Sequence, residues 1–168
     1  MNPVPVSPGS VSQVPLAFYA PLKSPDDLSP SGDRTMARLL MKALAGAGYA
    51  PRLASTLRTR DGAGDPARQA AIRLAAQDEA RRFIAHAGSL PAAERPRLWF
   101  TYHVYYKAPD WIGPMVSQAL GIPYVVAEGS RAGKRAEGAW ALGHRGAVAA
   151  LDRAAVVFVM TASDRVAL

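Results

Sequence analysis

Three apolar runs constrain the fold of this chain more than any other feature of its sequence. They span residues 98–103, 123–128 and 156–160, and segments with helical periodicity separate them. Strands that are apolar on both faces and alternate with amphipathic helices are typical of a parallel sheet covered by helices on both sides. Because crossovers between parallel strands are right-handed, the sequence predicts an open, doubly wound, Rossmann-like α/β domain with three layers and about five strands.

Two further strands and four helices complete the predicted domain. Residues 16–20 and 49–55 are expected to form the first and second strands, and Pro51 marks the second as short or as an edge strand. The clearest helix begins near Asp33, because apolar residues recur there at helical spacing while basic residues occupy the opposite face. The remaining helices are expected at residues 66–88, 110–121 and 141–152.

The two ends of the chain depart from this pattern. Residues 1–13 are rich in proline and serine and are predicted to form a disordered tail. The folded domain is expected to span residues 14–168. Residues 161–164 have the composition of a helix cap, so one further helix is expected to begin there.

The composition excludes several kinds of chemistry. A chain of 168 residues is suited to one domain. Since it contains no cysteine, it cannot form a disulfide, a thiolate metal site or a cysteine nucleophile. Its three histidines are dispersed, which argues against a metal site. The sequence shows no secretory signal and no apolar run long enough to cross a bilayer, so the cytoplasm is the expected location.

The basic character of the chain favours anionic partners. The net charge is +7, which suits nucleotide phosphates, an anionic membrane surface or nucleic acid. The positive charges are scattered, however, and aromatic residues are not interleaved with them as single-strand binding requires. We therefore do not expect a nucleic-acid partner.

Polar residues end two of the predicted strands. In open α/β sheets, ligands bind beyond the carboxyl ends of the strands, where the loops that lead into helices converge. His103 ends the third strand and Glu128 ends the fourth. Histidine titrates near neutral pH and can act as a general base or bind a hydroxyl, although a strand-end histidine can also serve only a structural hydrogen bond. We predict that His103 and Glu128 are catalytic residues that bracket a substrate hydroxyl.

Other loop residues are candidates for binding an acceptor or a phosphate. Ser31 and Gly32 open the clearest helix, where free backbone amides attract anions. The alternative is that Ser31 or Asp33 is an ordinary helix cap and Gly32 serves a turn, and Asp33 would repel a phosphate. Basic side chains in two other loops complete the set, although such charges are commonly only solvated. They are Lys107, Arg131 and Lys134.

Familiar cofactor motifs are missing. The pairs Gly46-Ala-Gly48 and Gly62-Ala-Gly64 lack a third glycine, and neither connects the first strand to its helix as a dinucleotide fingerprint requires. The sequence also has no GxxxxGK[ST] phosphate loop, no GxSxG elbow and no HExxH helix. We therefore predict neither a resident cofactor nor a metal.

Two stretches of the chain resemble a known family. The first stretch consists of residues 18–22 (FYAPL) and residues 30–49. The second stretch consists of residues 119–126 (ALGIPYVV) and residues 151–168. Both are similar to the N-terminal domain of GT-B fold glycosyltransferases, especially the retaining enzymes of family 4. That family usually has a glycine pair before its first helix, where this chain has Ser31-Gly32-Asp33, and a Gly-His before its second strand, where this chain has Gly48-Tyr49.

The resemblance implies a function. In that family the first domain receives a sugar or glycoconjugate acceptor, and a second domain binds the nucleotide sugar, which is a co-substrate. The resemblance covers only the first domain, so this chain is expected to bind the acceptor and to have little or no activity alone. Its basic loops suit an anionic acceptor or peripheral contact with a membrane. The alternative from another class is a non-enzymatic, flavodoxin-like domain that binds a small ligand or has a regulatory role.

Overall fold

The computed structural model describes residues 13–162 and residue 165. Apart from Gln13, the tail expected at residues 1–13 lies outside the described residues. The helix expected to begin at residues 161–164 also lies largely outside them.

Five parallel strands form the single sheet of the described chain, which confirms the predicted fold class. The strands are β1 (Val14–Tyr19), β2 (Tyr49–Leu53), β3 (Leu98–Val104), β4 (Tyr124–Gly129) and β5 (Val156–Phe158). Their order in the sheet is β2-β1-β3-β4-β5. The strand that contains Pro51 is therefore at an edge, as the proline predicts. The last strand ends at Phe158, two residues earlier than expected.

In the described part of the chain, four α-helices cover the sheet from both sides. They are α1 (Gly32–Gly46), α2 (Pro66–Ser89), α3 (Gly113–Leu120) and α4 (Ala141–Arg153). Buried residues of α1 pack on one face of the sheet, and buried residues of α2, α3 and α4 pack on the other. From β1 the chain adds β2 on one side of the sheet, and from β3 onward it adds strands on the other side. A topological switch point therefore lies between β1 and β3.

Each face of the sheet has its own apolar core. Beneath α1, Phe18 and Phe100 are stacked with ring centroids 5.7 Å apart. On the opposite face, Trp99 is fully buried and meets Phe83 of α2 edge to face at 5.1 Å. The two cores hold the carboxyl ends of the central strands in a fixed relation to the starts of the helices.

The junction between β3 and α3 differs from the prediction. The helix was expected to begin at Asp110, but it begins at Gly113. The buried Asp110 carboxylate nevertheless accepts hydrogen bonds from the backbone N–H groups of Ile112 and Gly113, both at 2.8 Å. It also accepts hydrogen bonds from the side chains of Thr101 and Tyr124. Burial raises the pKa of the Asp110 carboxyl although four donors surround it.

Candidate functional site

The candidate site lies at the carboxyl edge of the sheet, beside the switch point. His103 is in β3, Glu128 is in β4, and Asp33 is in the first turn of α1. His103 Nδ1 lies 3.1 Å from Asp33 Oδ1, and His103 Nε2 lies 3.8 Å from Glu128 Oε1. The two residues predicted as catalytic are therefore neighbours, and a second carboxylate joins them.

The backbone of β3 leaves the normal strand conformation at His103, where φ is +66°. Tyr102 packs in the core beneath α1, whereas Val104, two residues later, packs in the core of the opposite face. In a regular strand, residues two apart share a face. The left-handed residue therefore interrupts the alternation, and the imidazole reaches the start of α1 instead of the opposite core.

The neighbouring strand β4 has the same departure at Glu128, where φ is +64°. Ala127 packs beneath α1, but a Cβ atom at Gly129 would meet Leu151 in the opposite core. Non-glycine residues rarely adopt a positive φ, because the Cβ atom approaches the carbonyl oxygen. Two such residues side by side at the ends of adjacent strands are strained positions of the kind that cluster at functional sites.

The site is partly open to solvent. Relative exposures of the side chains are 23% for His103, 36% for Asp33 and 32% for Glu128. With Nδ1 of His103 donating to Asp33, Nε2 is the nitrogen that can accept a hydrogen bond from a ligand hydroxyl. Asp33 then fixes the imidazole ring, and Glu128 faces the same space from the other side.

Tyr102 forms the inner wall of the site. Burial, together with the negative charges of Glu128 and Asp33, raises the pKa of its hydroxyl group. The neutral phenol therefore persists across the physiological range beside the Glu128 carboxylate.

The structure gives Ser31 and Gly32 the roles of a helix start. The Ser31 hydroxyl accepts a hydrogen bond from the backbone N–H of Arg34 at 3.2 Å, as an N-cap does. No heavy atom lies within 4 Å of a Cβ atom built on Gly32, so the first turn of α1 is open there. Binding of an acceptor or phosphate by these two residues stays a prediction.

The three predicted basic residues have different surroundings. Arg131 forms an ion pair with Asp152 at 2.7 Å. Lys134 is exposed on the 3₁₀ turn Gly133–Arg135. Lys107 Nζ, by contrast, lies 5.2 Å from the ring centroid of Trp140. Only Lys107 of these three is in contact with the aromatic side chains near the site.

A continuous row of aromatic rings leads away from His103. Successive ring centroids are 5.7 Å apart from Tyr102 to His103, 5.0 Å from His103 to Tyr105, and 5.5 Å from Tyr105 to Tyr106. The row ends at Trp140, whose ring centroid is 5.7 Å from that of Tyr106. We refer to these five residues as the aromatic row.

Sequence reasoning missed several members of this site. Asp33 was interpreted only as a helix cap and as a repulsive charge, although it is the partner of His103. Trp140 was not singled out, and its approach to Tyr106 depends on the path of a loop that has no periodic pattern. Arg60 was also missed; burial raises the pKa of the Tyr105 hydroxyl, and the positive charge of Arg60 acts to lower it. The tyrosines of the aromatic row were not missed in the same way, because Tyr102, Tyr105 and Tyr106 cluster visibly at the end of a predicted strand.

Comparison with known proteins does not identify the chain. No protein-family model matches it, and no curated protein matches it. Among the described residues, no helix is long and apolar enough to cross a membrane. Within the same part of the chain, no group of three or more acidic or histidine side chains is arranged to hold a metal ion.

Proposed function

We propose that this chain is the acceptor-binding domain of a nucleotide-sugar-dependent glycosyltransferase. The observation that carries the proposal is the group formed by Asp33, His103 and Glu128 at the switch point. Ligands of open α/β sheets bind at that position. The aromatic row supports it further, because apolar ring faces combined with polar tips suit the alternating faces of sugars.

The roles of the three residues follow from their geometry. Nε2 of His103 accepts the hydrogen bond, and in the reaction the proton, of the attacking acceptor hydroxyl. Asp33 holds the imidazole ring through its contact with Nδ1. Glu128 accepts a hydrogen bond from a second hydroxyl of the same sugar. The acceptor oxygen then forms a bond to the anomeric carbon of the donor, and the nucleoside phosphate leaves.

On this proposal, the nucleotide sugar is bound by a second domain outside these 168 residues. The chain alone binds acceptor and has little or no turnover. The reaction takes place in the cytoplasm, where nucleotide sugars are the donors, and the basic loops permit peripheral contact with an anionic membrane.

A nuclear magnetic resonance titration tests the proposal. A panel of simple sugars is added to the ¹⁵N-labelled chain, and amide shifts are followed at residues 33, 103 and 128. We expect saturable shifts at these residues and at least about tenfold weaker binding by the His103→Gln variant, since a ligand hydroxyl loses its acceptor. His86→Gln is the matched control, because His86 lies in the last turn of α2. Equal binding by both variants would contradict the proposal.

The strand order supports a second candidate, a flavodoxin-like domain that binds a small ligand. The order 2-1-3-4-5 is the one found in flavodoxin-like sheets. A flavin phosphate would need the amides at the start of α1, however, and the carboxylates of Asp33 and Glu128 lie close by. Titration with flavin mononucleotide separates the two functions, since quenching of flavin fluorescence at micromolar protein would favour the second.

A further inference from the structure

The outer end of the aromatic row carries two positive charges. Lys107 Nζ lies 5.7 Å from the ring centroid of Tyr106 and 5.2 Å from that of Trp140. The guanidinium carbon of Arg135 lies 5.4 Å and 5.3 Å from the same two centroids. Both cations are therefore held against one pair of aromatic rings, at distances typical of cation–π contacts. We call these four residues the cationic platform.

The two cations of the platform have no acidic partner in the part of the chain that the structure describes. Ion pairs there involve other basic residues, including Arg131, which is paired with Asp152. Two like charges near one ring pair repel each other, and a bound anion would relieve that repulsion. Contact with the rings leaves the N–H donors of the ammonium and guanidinium groups available to such an anion.

A buried hydrogen-bond network fixes the loops that carry the platform. The Gln69 side chain donates to the Ala139 carbonyl at 2.8 Å and accepts from the Gly143 N–H at 3.0 Å, so it holds the chain on both sides of Trp140. It also donates to the Asp61 carboxylate at 2.9 Å. The Asp61 N–H in turn donates to the Lys107 carbonyl at 2.8 Å.

Because this network ties together the loops of Lys107 and Trp140, the backbone at Lys107 and around Trp140 is arranged before any ligand arrives. A preorganised backbone reduces the entropy that is lost when a ligand binds. The aromatic row connects the platform to His103 without a gap. A ligand that follows the row would therefore reach both ends.

We infer that the cationic platform is a subsite for an acidic sugar, which carries a phosphate or carboxylate group. The anionic group binds between Lys107 and Arg135, and the sugar extends along the aromatic row toward His103. The inference rests on the proposed function, because it names the class of acceptor that the domain would receive. Beyond the proposed function, the inference requires that the bound sugar carry an anionic group, which a neutral sugar lacks.

The test compares matched sugars on the ¹⁵N-labelled chain. Glucose, glucose 6-phosphate, glucuronate and inorganic phosphate are titrated separately, and the indole N–H signal of Trp140 and the amide signal of His103 are followed. We expect the two charged sugars to bind at least about tenfold more tightly than glucose, the effect of one charge-assisted hydrogen bond. Their affinity should fall as salt is added. Inorganic phosphate should bind more weakly than glucose 6-phosphate.

Two adjacent residues provide a matched pair of variants. Arg135→Gln and Lys134→Gln each remove one positive charge from the same exposed turn, but only Arg135 contacts the rings. We expect Arg135→Gln to weaken binding of glucose 6-phosphate about tenfold, while Lys134→Gln changes it less than about twofold. Equal effects of the two variants would overturn the inference, since they would show only a general field of positive charge.

The titrations also separate this inference from the proposed function. Shifts at His103 with equal affinity for glucose and the charged sugars would overturn the inference and leave the proposed function standing. Tight binding of charged sugars at Trp140 without any shift at His103 would contradict the proposed function and retain the anion subsite. Equal binding of inorganic phosphate and glucose 6-phosphate would overturn the assignment to a sugar.

Discussion

Substituting Glu128 by glycine or by alanine tests whether strain is built into the candidate site. Both variants remove the carboxylate, its negative charge beside Tyr102 and its approach to His103. They differ only in the backbone, because glycine adopts φ of +64° without cost and alanine does not. The difference in stability between the two variants therefore isolates the cost of the left-handed conformation.

The expected difference in stability between the glycine and alanine variants follows from two opposing contributions. A left-handed conformation costs a residue with a Cβ atom about 1–2 kcal/mol. Glycine loses more entropy on folding, which costs roughly 0.5–1 kcal/mol relative to alanine in a regular strand. We expect Glu128→Gly to be more stable than Glu128→Ala by about 1 kcal/mol, or about 3 °C in Tm for a domain of this size. Urea unfolding followed by circular dichroism measures the difference.

Arg52 provides the control for this comparison. It is an exposed strand residue, and among the described residues only His103, Glu128 and Ala132 have a positive φ without being glycine. At Arg52 the order should reverse, with alanine more stable than glycine by about 0.5 kcal/mol. If glycine were also the less stable residue at position 128, the backbone there would be unstrained and the reasoning would be refuted.

Three further predictions concern the framework beneath the site. Gly113→Ala should destabilise the domain by about 3 kcal/mol in urea unfolding, because the new Cβ atom would lie within 3 Å of Asp110 and Trp99. Gln69→Leu should cost about 2 kcal/mol by the same assay and broaden the Trp140 indole signal, since it leaves buried polar groups unpaired. Burial opposes the charge of Asp61, but hydrogen bonds from nearby backbone N–H groups and from Gln69 lower the pKa of that carboxyl. The charged carboxylate of Asp61 therefore stabilises the fold at pH values above the pKa that Asp61 has in the unfolded chain, and this stabilisation is lost as the pH falls. The difference in free energy of unfolding between wild type and Asp61→Asn should therefore become smaller from pH 7 to pH 3.

Periodic patterns predicted the fold because they report burial directly. The alternation of apolar strands and amphipathic helices follows from two faces that must both be covered, so it fixed the class and the order of elements along the chain. Pro51 marked an edge strand for an equally general reason, because proline has no backbone N–H to donate in a hydrogen bond to a neighbouring strand. The start of α3 was less predictable, because Asp110 lies three residues before the first helical residue and caps the helix through its buried carboxylate.

The site was only partly predictable, because its geometry depends on departures from the periodic pattern. His103 and Glu128 could be selected as polar residues at strand ends, but their meeting with Asp33 requires a left-handed backbone at both positions. Neither residue type favours that conformation over the extended one, and the enrichment of histidine at positive φ is only a weak local signal for it. The strain must be supported by the surrounding packing, in which Tyr102 and Val104 are anchored in opposite cores. Because both cores are set by the whole sheet, the orientation of His103 is a property of the tertiary structure, and a variant that loosens either core should release the imidazole from Asp33 before it unfolds the domain.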